Sequence, residues 1–175
     1  GIHISSVPGE AMQHFDAICV GNAENLWPTI VADAAAGALK PIYQGPRTLQ
    51  GTDIPIPKRD LFAMGDYLYS NTISASRGCP FKCEFCYNSC PYVDYAIVNR
   101  PVADVLTEIK TLGTRHVMFI DDNLIGEPAW TWQFLRALQA EDLHLKWNGA
   151  VSANLLDDLP LLDLMAQTGC NSLFI

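Results

Sequence analysis

Apolar positions in this chain fall into two alternating patterns, short unbroken runs and longer stretches with a helical period. The alternation is clearest from Tyr67 to Ile175. "YLYSNTISAS" (67–76) is strand-like. "RPVADVLTEIKTLG" places Val102, Val105, Leu106, Ile109 and Leu112 on one helical face, with Gly113 as its stop. "HVMFI" (116–120) is a strand, and "EPAWTWQFLRALQA" a helix with Pro128 near its start and Phe134, Leu135 and Leu138 inward. "LKWNGAV" is a third strand. "DDLPLLDLMAQTG" is a third helix, with Pro160 in its first turn and Gly169 beyond its end, and "SLFI" opens a fourth strand. Strands separated by helices need crossover connections and so form a parallel sheet. Nearly continuous apolar strands fit a sheet covered on both faces. The predicted class is therefore α/β, either an open doubly wound sheet or part of a (βα) barrel.

The first part of the chain, 1–44, reads as the tail of another α/β domain. "DAICV" (16–20) is a buried strand, and "ENLWPTIVADAAAGALK" a helix with Asn25 as cap, Pro28 in its first turn and Gly37 just past its end. "KPIYQ" is the next strand. Residues 45–66 carry Pro46, Pro55 and Pro57 without any period and read as a linker, leaving 67–175 as the second domain.

Composition narrows the possible functions. Of 175 residues, 49% are hydrophobic and 17% charged, which is globular rather than disordered. A net charge of -8 and the lack of any Lys/Arg cluster disfavour nucleic acid and anionic membrane surfaces as partners. No apolar run approaches the roughly 18 residues of a membrane span, and no signal peptide is visible. A cytoplasmic protein is expected. The opening "GIHISS" and the closing "NSLFI" suggest a segment of a longer polypeptide.

In parallel α/β folds, sites form at the carboxyl ends of the strands. Three predicted strands end in polar loops: "RGCPFKCEFCYNSC", Asp121-Asp122-Asn123, and Ser152 with Asn154. The topology brings these loops to one rim. Asp121 and Asp122 equally suit a helix cap or turn, where short polar side chains satisfy free backbone N–H groups. The four histidines share no ligand spacing, and Cys19 and Cys170 sit in or beside apolar strands as small hydrophobes.

The remaining four of the 6 cysteines are clustered: Cys79, Cys83, Cys86 and Cys90. A disulfide scaffold is disfavoured, because such scaffolds are short, loop-rich and secreted. Soft thiolates this close in sequence select zinc or an iron–sulfur cluster. Structural zinc and ferredoxin clusters take four ligands. Cys90, followed by Pro91, can supply the fourth. A zinc or ferredoxin-like four-cysteine module therefore stands beside a three-cysteine cluster with one iron left open.

"SRGCPFKCEFCY" resembles the CxxxCxΦC signature of the radical S-adenosylmethionine (SAM) superfamily, with Phe85 as the aromatic before the third cysteine. That resemblance covers roughly Tyr67 to the end. It implies a 4Fe-4S cluster held by Cys79, Cys83 and Cys86, with SAM chelating the fourth iron and Phe85 beside the adenine. In that family the second strand ends in a Gly-Gly-Glu-like turn that meets the methionine amino group. Here "IDDN" stands in its place, which passes the role to Asp121 and Asp122, and Ser152 matches a contact to the ribose or carboxylate. The fold implied for 67–175 is the first half of a radical SAM barrel. "GIHISSVPGEA" and "DAICVGNAENLWPTIVADAAAGALKPIY" are similar to the end of the Rossmann-like cobalamin-binding domain that precedes many such cores. Gly1-Ile2-His3 matches the last part of its Gly-Gly-x-His turn. The resemblance implies reductive cleavage of SAM to a 5′-deoxyadenosyl radical, and cobalamin-dependent methyl transfer to carbon in the longer protein. A small-molecule substrate and an electron donor of flavodoxin or ferredoxin type are the partners it implies.

Overall fold

A computed structural model describes residues 1–46, 49–89 and 96–175, apart from the side chain of Met64. The chain divides into two compact units, one made of Gly1–Ile54 with Pro80–Ala96, the other of Pro55–Cys79 with Ile97–Ile175.

The first unit opens with two short helices that the apolar pattern does not announce, α1 (Ile2–Ser6) and α2 (Pro8–Ala11). His3 lies within α1. Strand β1 (Ile18–Val20) leads through helix α3 (Trp27–Ala35) to strand β2 (Ile42–Gln44), which pairs with β1 in parallel, Ile18 opposite Ile42. Helix α3 is shorter than the expected 24–40. Asn25 does not cap it, since Leu26 holds the capping position and makes no side-chain cap bond. Pro28 sits in the first turn and Gly37 adopts φ +65°, both as predicted. The Tyr43 hydroxyl donates to Asp33 Oδ2 at 2.7 Å, tying β2 to α3. Cys19 is half-buried on β1, and burial raises its thiol pKa.

The second unit carries the main sheet. Its elements are β3 (Thr72–Ile73), β4 (Ser76–Arg77), β5 (Val98–Asn99), α4 (Val102–Thr111), β6 (His116–Phe119), α5 (Pro128–Ala140), β7 (Lys146–Ala150), α6 (Leu159–Gln167) and β8 (Cys170–Phe174). Four strands pair in parallel in the order β3-β6-β7-β8, so the class is α/β with a parallel sheet. The predicted helices and strands from 100 onward appear within a few residues of their expected limits. The expected strand 67–76 is broken, because Ser76 and Arg77 leave the sheet to pair antiparallel with Asn99 and Val98.

The core is built from the predicted apolar positions. Val105 and Ile109 on α4 and Phe134, Leu135 and Leu138 on α5 are buried, along with Val117, Phe119 and Trp147 from the strands. The Phe119 ring meets Phe134 and Trp147 edge-to-face, each at 5.6 Å, a favoured aromatic geometry. Gly169 at φ +92° starts β8, and a Cβ there would lie 1.9 Å from the Leu145 carbonyl oxygen, so only glycine allows this approach. Cys170 packs partly against the core, as its apolar strand implied. Among the described residues no helix is long and apolar enough to cross a membrane.

Strand β3 lies at one edge of the sheet. The carbonyls of Asn71 and Ile73 accept from β6, at 3.1 Å from Met118 N and 2.9 Å from Ile120 N. The alternate carbonyls, those of Thr72 and Ser74, meet guanidinium groups instead of a strand. Arg59 donates to Thr72 O at 2.6 Å and Arg100 to Ser74 O at 2.9 Å. Both arginines also pair with Glu108 of α4, which is 1% exposed, Arg100 at 2.6 Å. The carboxylate holds two cations against an edge that would otherwise offer free acceptors. Replacing Glu108 with Ala leaves both guanidiniums without their counter-charge. The expected loss is about 3–5 kcal/mol of unfolding free energy in urea, the range for breaking a buried pair. A loss below about 1 kcal/mol, typical of an exposed pair, would contradict this arrangement.

Candidate functional site

The rim at the carboxyl ends of β3, β6 and β7 gathers the polar residues that the sequence placed there. Along β6 and into the loop after it, Val117, Phe119, Asp121 and Asn123 are all buried, while Ile120 is exposed. Two-residue periodicity therefore carries Asp121 and Asn123 to the core side of the strand end. This signal was present in the sequence, but the sequence reading assigned Asn123 no role.

Asp121, only 4% exposed, grips the chain where it leaves β3. Its Oδ2 accepts from Ala75 N at 3.1 Å, and its Oδ1 accepts from both the backbone N–H and the hydroxyl of Ser76. Burial is the largest influence on its pKa and raises it to about 6 from 3.8, against the opposing pull of these donors. Asp122 is half-buried and accepts from Gly78 N at 3.1 Å, and burial raises its pKa as well. Gly78 itself stands at φ +81°, a conformation that glycine adopts without strain. From the other side, Arg100 N donates to Ala75 O at 2.9 Å. The β4–β5 ribbon, Asp121, Asp122 and Arg100 thus pin the root of the cysteine loop.

Asn123 links three loops. Its Nδ2 donates to Ser152 Oγ at 3.0 Å and lies 3.8 Å from Cys79 Sγ, and its Oδ1 accepts from Ile125 N at 3.3 Å. The Ser152 hydroxyl in turn donates to Asn154 Oδ1. Cys79, Asp121, Asp122 and Ser152 are thereby brought to one end of the sheet, as the strand reading predicts.

The other candidates belong to the first unit, where Cys83 and Cys86 bracket a turn. Cys86 N donates to Cys83 O at 3.0 Å, and the Ser89 hydroxyl caps the same carbonyl at 2.6 Å. Phe85 lies between them and is 94% exposed. Cys90 lies outside the described residues. Cys79, Cys83 and Cys86 are free thiols. Among the described residues, no three His, Cys, Asp or Glu side chains converge to hold a metal ion. The donor chemistry nonetheless fits an iron–sulfur cluster: three free thiols within eight residues, half-buried or exposed. Metal–thiolate bonds themselves supply the free energy that gathers such donors.

No family model matches the chain. It is 25% identical over 185 residues, all of this chain and 40% of the relative, to the bacteriochlorophyllide d C-12(1)-methyltransferase of Chlorobaculum tepidum. It is 30% identical over 184 residues, all of this chain and 34% of the relative, to an uncharacterized methyltransferase of Synechocystis. It is 28% identical over 187 residues, 98% of this chain and 41% of the relative, to the bacteriochlorophyllide d C-8(2)-methyltransferase of Chlorobaculum tepidum. The chain spans about two fifths or less of the length of these curated relatives. All three are named methyltransferases.

The raised pKa of Asp121 has a measurable consequence. Between about pH 4 and pH 6 the folded chain keeps a proton that the unfolded chain has released. The stabilisation from this group is complete below pH 3.8 and is lost as pH rises through about 6. The unfolding free energy of the wild type relative to Asp121→Asn should therefore fall across that window and level off above it. A difference independent of pH would show that burial does not disfavour the charged carboxylate.

Proposed function

We propose that this chain is part of a radical SAM methyltransferase, with Cys79, Cys83 and Cys86 as the three protein ligands of a 4Fe-4S cluster. The observation that carries the reading is the position of the cysteine motif. Its root, Gly78 and Cys79, follows β3 by way of β4 and is held by the loop after β6. Sites of parallel α/β sheets form there. The methyltransferase names of the relatives support the reaction class.

When bound, the cluster would supply one electron to the sulfonium of SAM and so release a radical able to take hydrogen from an unreactive C–H bond. The protein's own residues would position the reactants and exclude water. Asp121 and Asp122, which also hold Ala75, Ser76 and Gly78, would meet the methionine amino group. Ser152, half-buried at the end of β7, would meet the ribose or carboxylate. Phe85, whose ring is open to solvent, would stack beside the adenine.

The strand order β3-β6-β7-β8, sequential and parallel, is the order in which a (βα) barrel begins. The likeness of 1–44 to a cobalamin-binding domain supports cobalamin as the methyl carrier. Two relatives bear names that specify a carbon of a bacteriochlorophyllide. By analogy, the acceptor here would be a carbon of a small organic molecule. A flavodoxin- or ferredoxin-like protein would donate the electron.

Anaerobic reconstitution with iron and sulfide tests this reading. The chain should take up about four irons and four sulfides, and the electron paramagnetic resonance of the reduced form should change when SAM is added. Alanine at Cys79, Cys83 or Cys86 should abolish uptake, whereas Cys90→Ala should retain it. One tightly bound zinc per chain without acid-labile sulfide would overturn the proposal, as would dependence on Cys90 equal to that on Cys83.

A further inference from the structure

We propose that Asn123 is a positioning residue for the candidate cluster: its side-chain amide donates to the Cys79 sulfur and thereby raises the reduction potential of a cluster that this thiolate holds. The inference rests on the three-cysteine reading above and adds a residue that the motif does not contain.

The orientation of the amide is set by its neighbours. Ile125 N–H donates to Oδ1, which leaves the NH2 group to face outward. Ser152 spends its hydroxyl proton on Asn154, so toward Asn123 its oxygen acts as an acceptor. An amide has two N–H donors, and here there are two acceptors, Ser152 Oγ and Cys79 Sγ. The donor is also rigid. Asn123 is 2% exposed, the adjoining Leu124 and Ile125 are core residues, and Leu124 N donates to Ala150 O at 2.9 Å. A donor held this firmly acts on the sulfur without having to reorganise.

The physical consequence concerns charge. Reduction adds negative charge to a cluster, and part of it resides on the sulfur ligands. A fixed N–H aimed at one of them stabilises the reduced state more than the oxidised one. Removing that N–H should lower the potential and make the cluster harder to reduce.

Two substitutions separate the donor from the turn it closes. Asn123→Asp keeps an oxygen for Ile125 N–H but replaces the NH2 group with a second oxygen. Asn123→Ser retains a short capping oxygen that cannot span to Cys79. In the anaerobically reconstituted chain, the midpoint potential is read by redox titration of the cluster's resonance or visible absorbance. Both variants should titrate at lower potential than the wild type, by about a tenfold change in the reduction equilibrium, or about 59 mV for one electron. A variant that melts like the wild type yet takes up less iron also supports the positioning role. If the wild type holds a cluster and either loaded variant titrates at the wild-type potential, this inference fails alone. If the wild type takes up no cluster, the three-cysteine reading fails and the inference fails with it.

Discussion

A buried carboxylate at the end of β6 determines how the cysteine loop leaves the sheet. Asp121 receives two backbone N–H groups and a hydroxyl from Ala75 and Ser76, two and three residues past the end of β3. Unsatisfied N–H groups in such a place would each cost on the order of 1–3 kcal/mol. The carboxylate removes that cost and turns the chain out of the sheet, so that Ser76 and Arg77 can pair with β5. Asp122 repeats the device one step further along, at Gly78. Asn123 completes it at Cys79. Three consecutive residues of one loop thus fix three successive points of another.

The same segment is held from behind by charge. Arg59 and Arg100 cover the outward carbonyls of β3, and Glu108 keeps both of them in place. An edge strand only two residues long has little pairing of its own. Its position depends on β6 on one side and on two guanidiniums on the other. Because Arg100 also donates from its backbone to Ala75, the clamp on the edge and the grip on the loop root are one connected network.

Much of this was legible in the sequence. The α/β class, the helices from 100 onward and the convergence of three polar loops follow from periodicity and from the glycines and prolines that bound each element. Asp121 suited both a ligand contact and the capping of free backbone N–H groups, and the fold gives it backbone and hydroxyl donors. The missing consideration was strand alternation, which continues from Phe119 through Asp121 to Asn123 and turns both inward. The break of the expected strand 67–76 was not legible, because it depends on a pairing with residues some twenty positions downstream. Nor was the Arg59–Glu108–Arg100 network, which unites residues far apart in the chain. Helices α1 and α2 are too short to show a period. The cysteine spacing names three soft sulfur donors, but where the thiols sit is decided by tertiary structure.

The central claim is that Asp121 anchors the root of the cysteine loop. Amide hydrogen exchange in the wild type and in Asp121→Ala tests it most directly. The account predicts that Ala75 and Ser76 lose protection by on the order of tenfold or more, about 1.4 kcal/mol or above, while the amides of β6 and β7 keep theirs. Unchanged protection at Ala75 and Ser76 would contradict it.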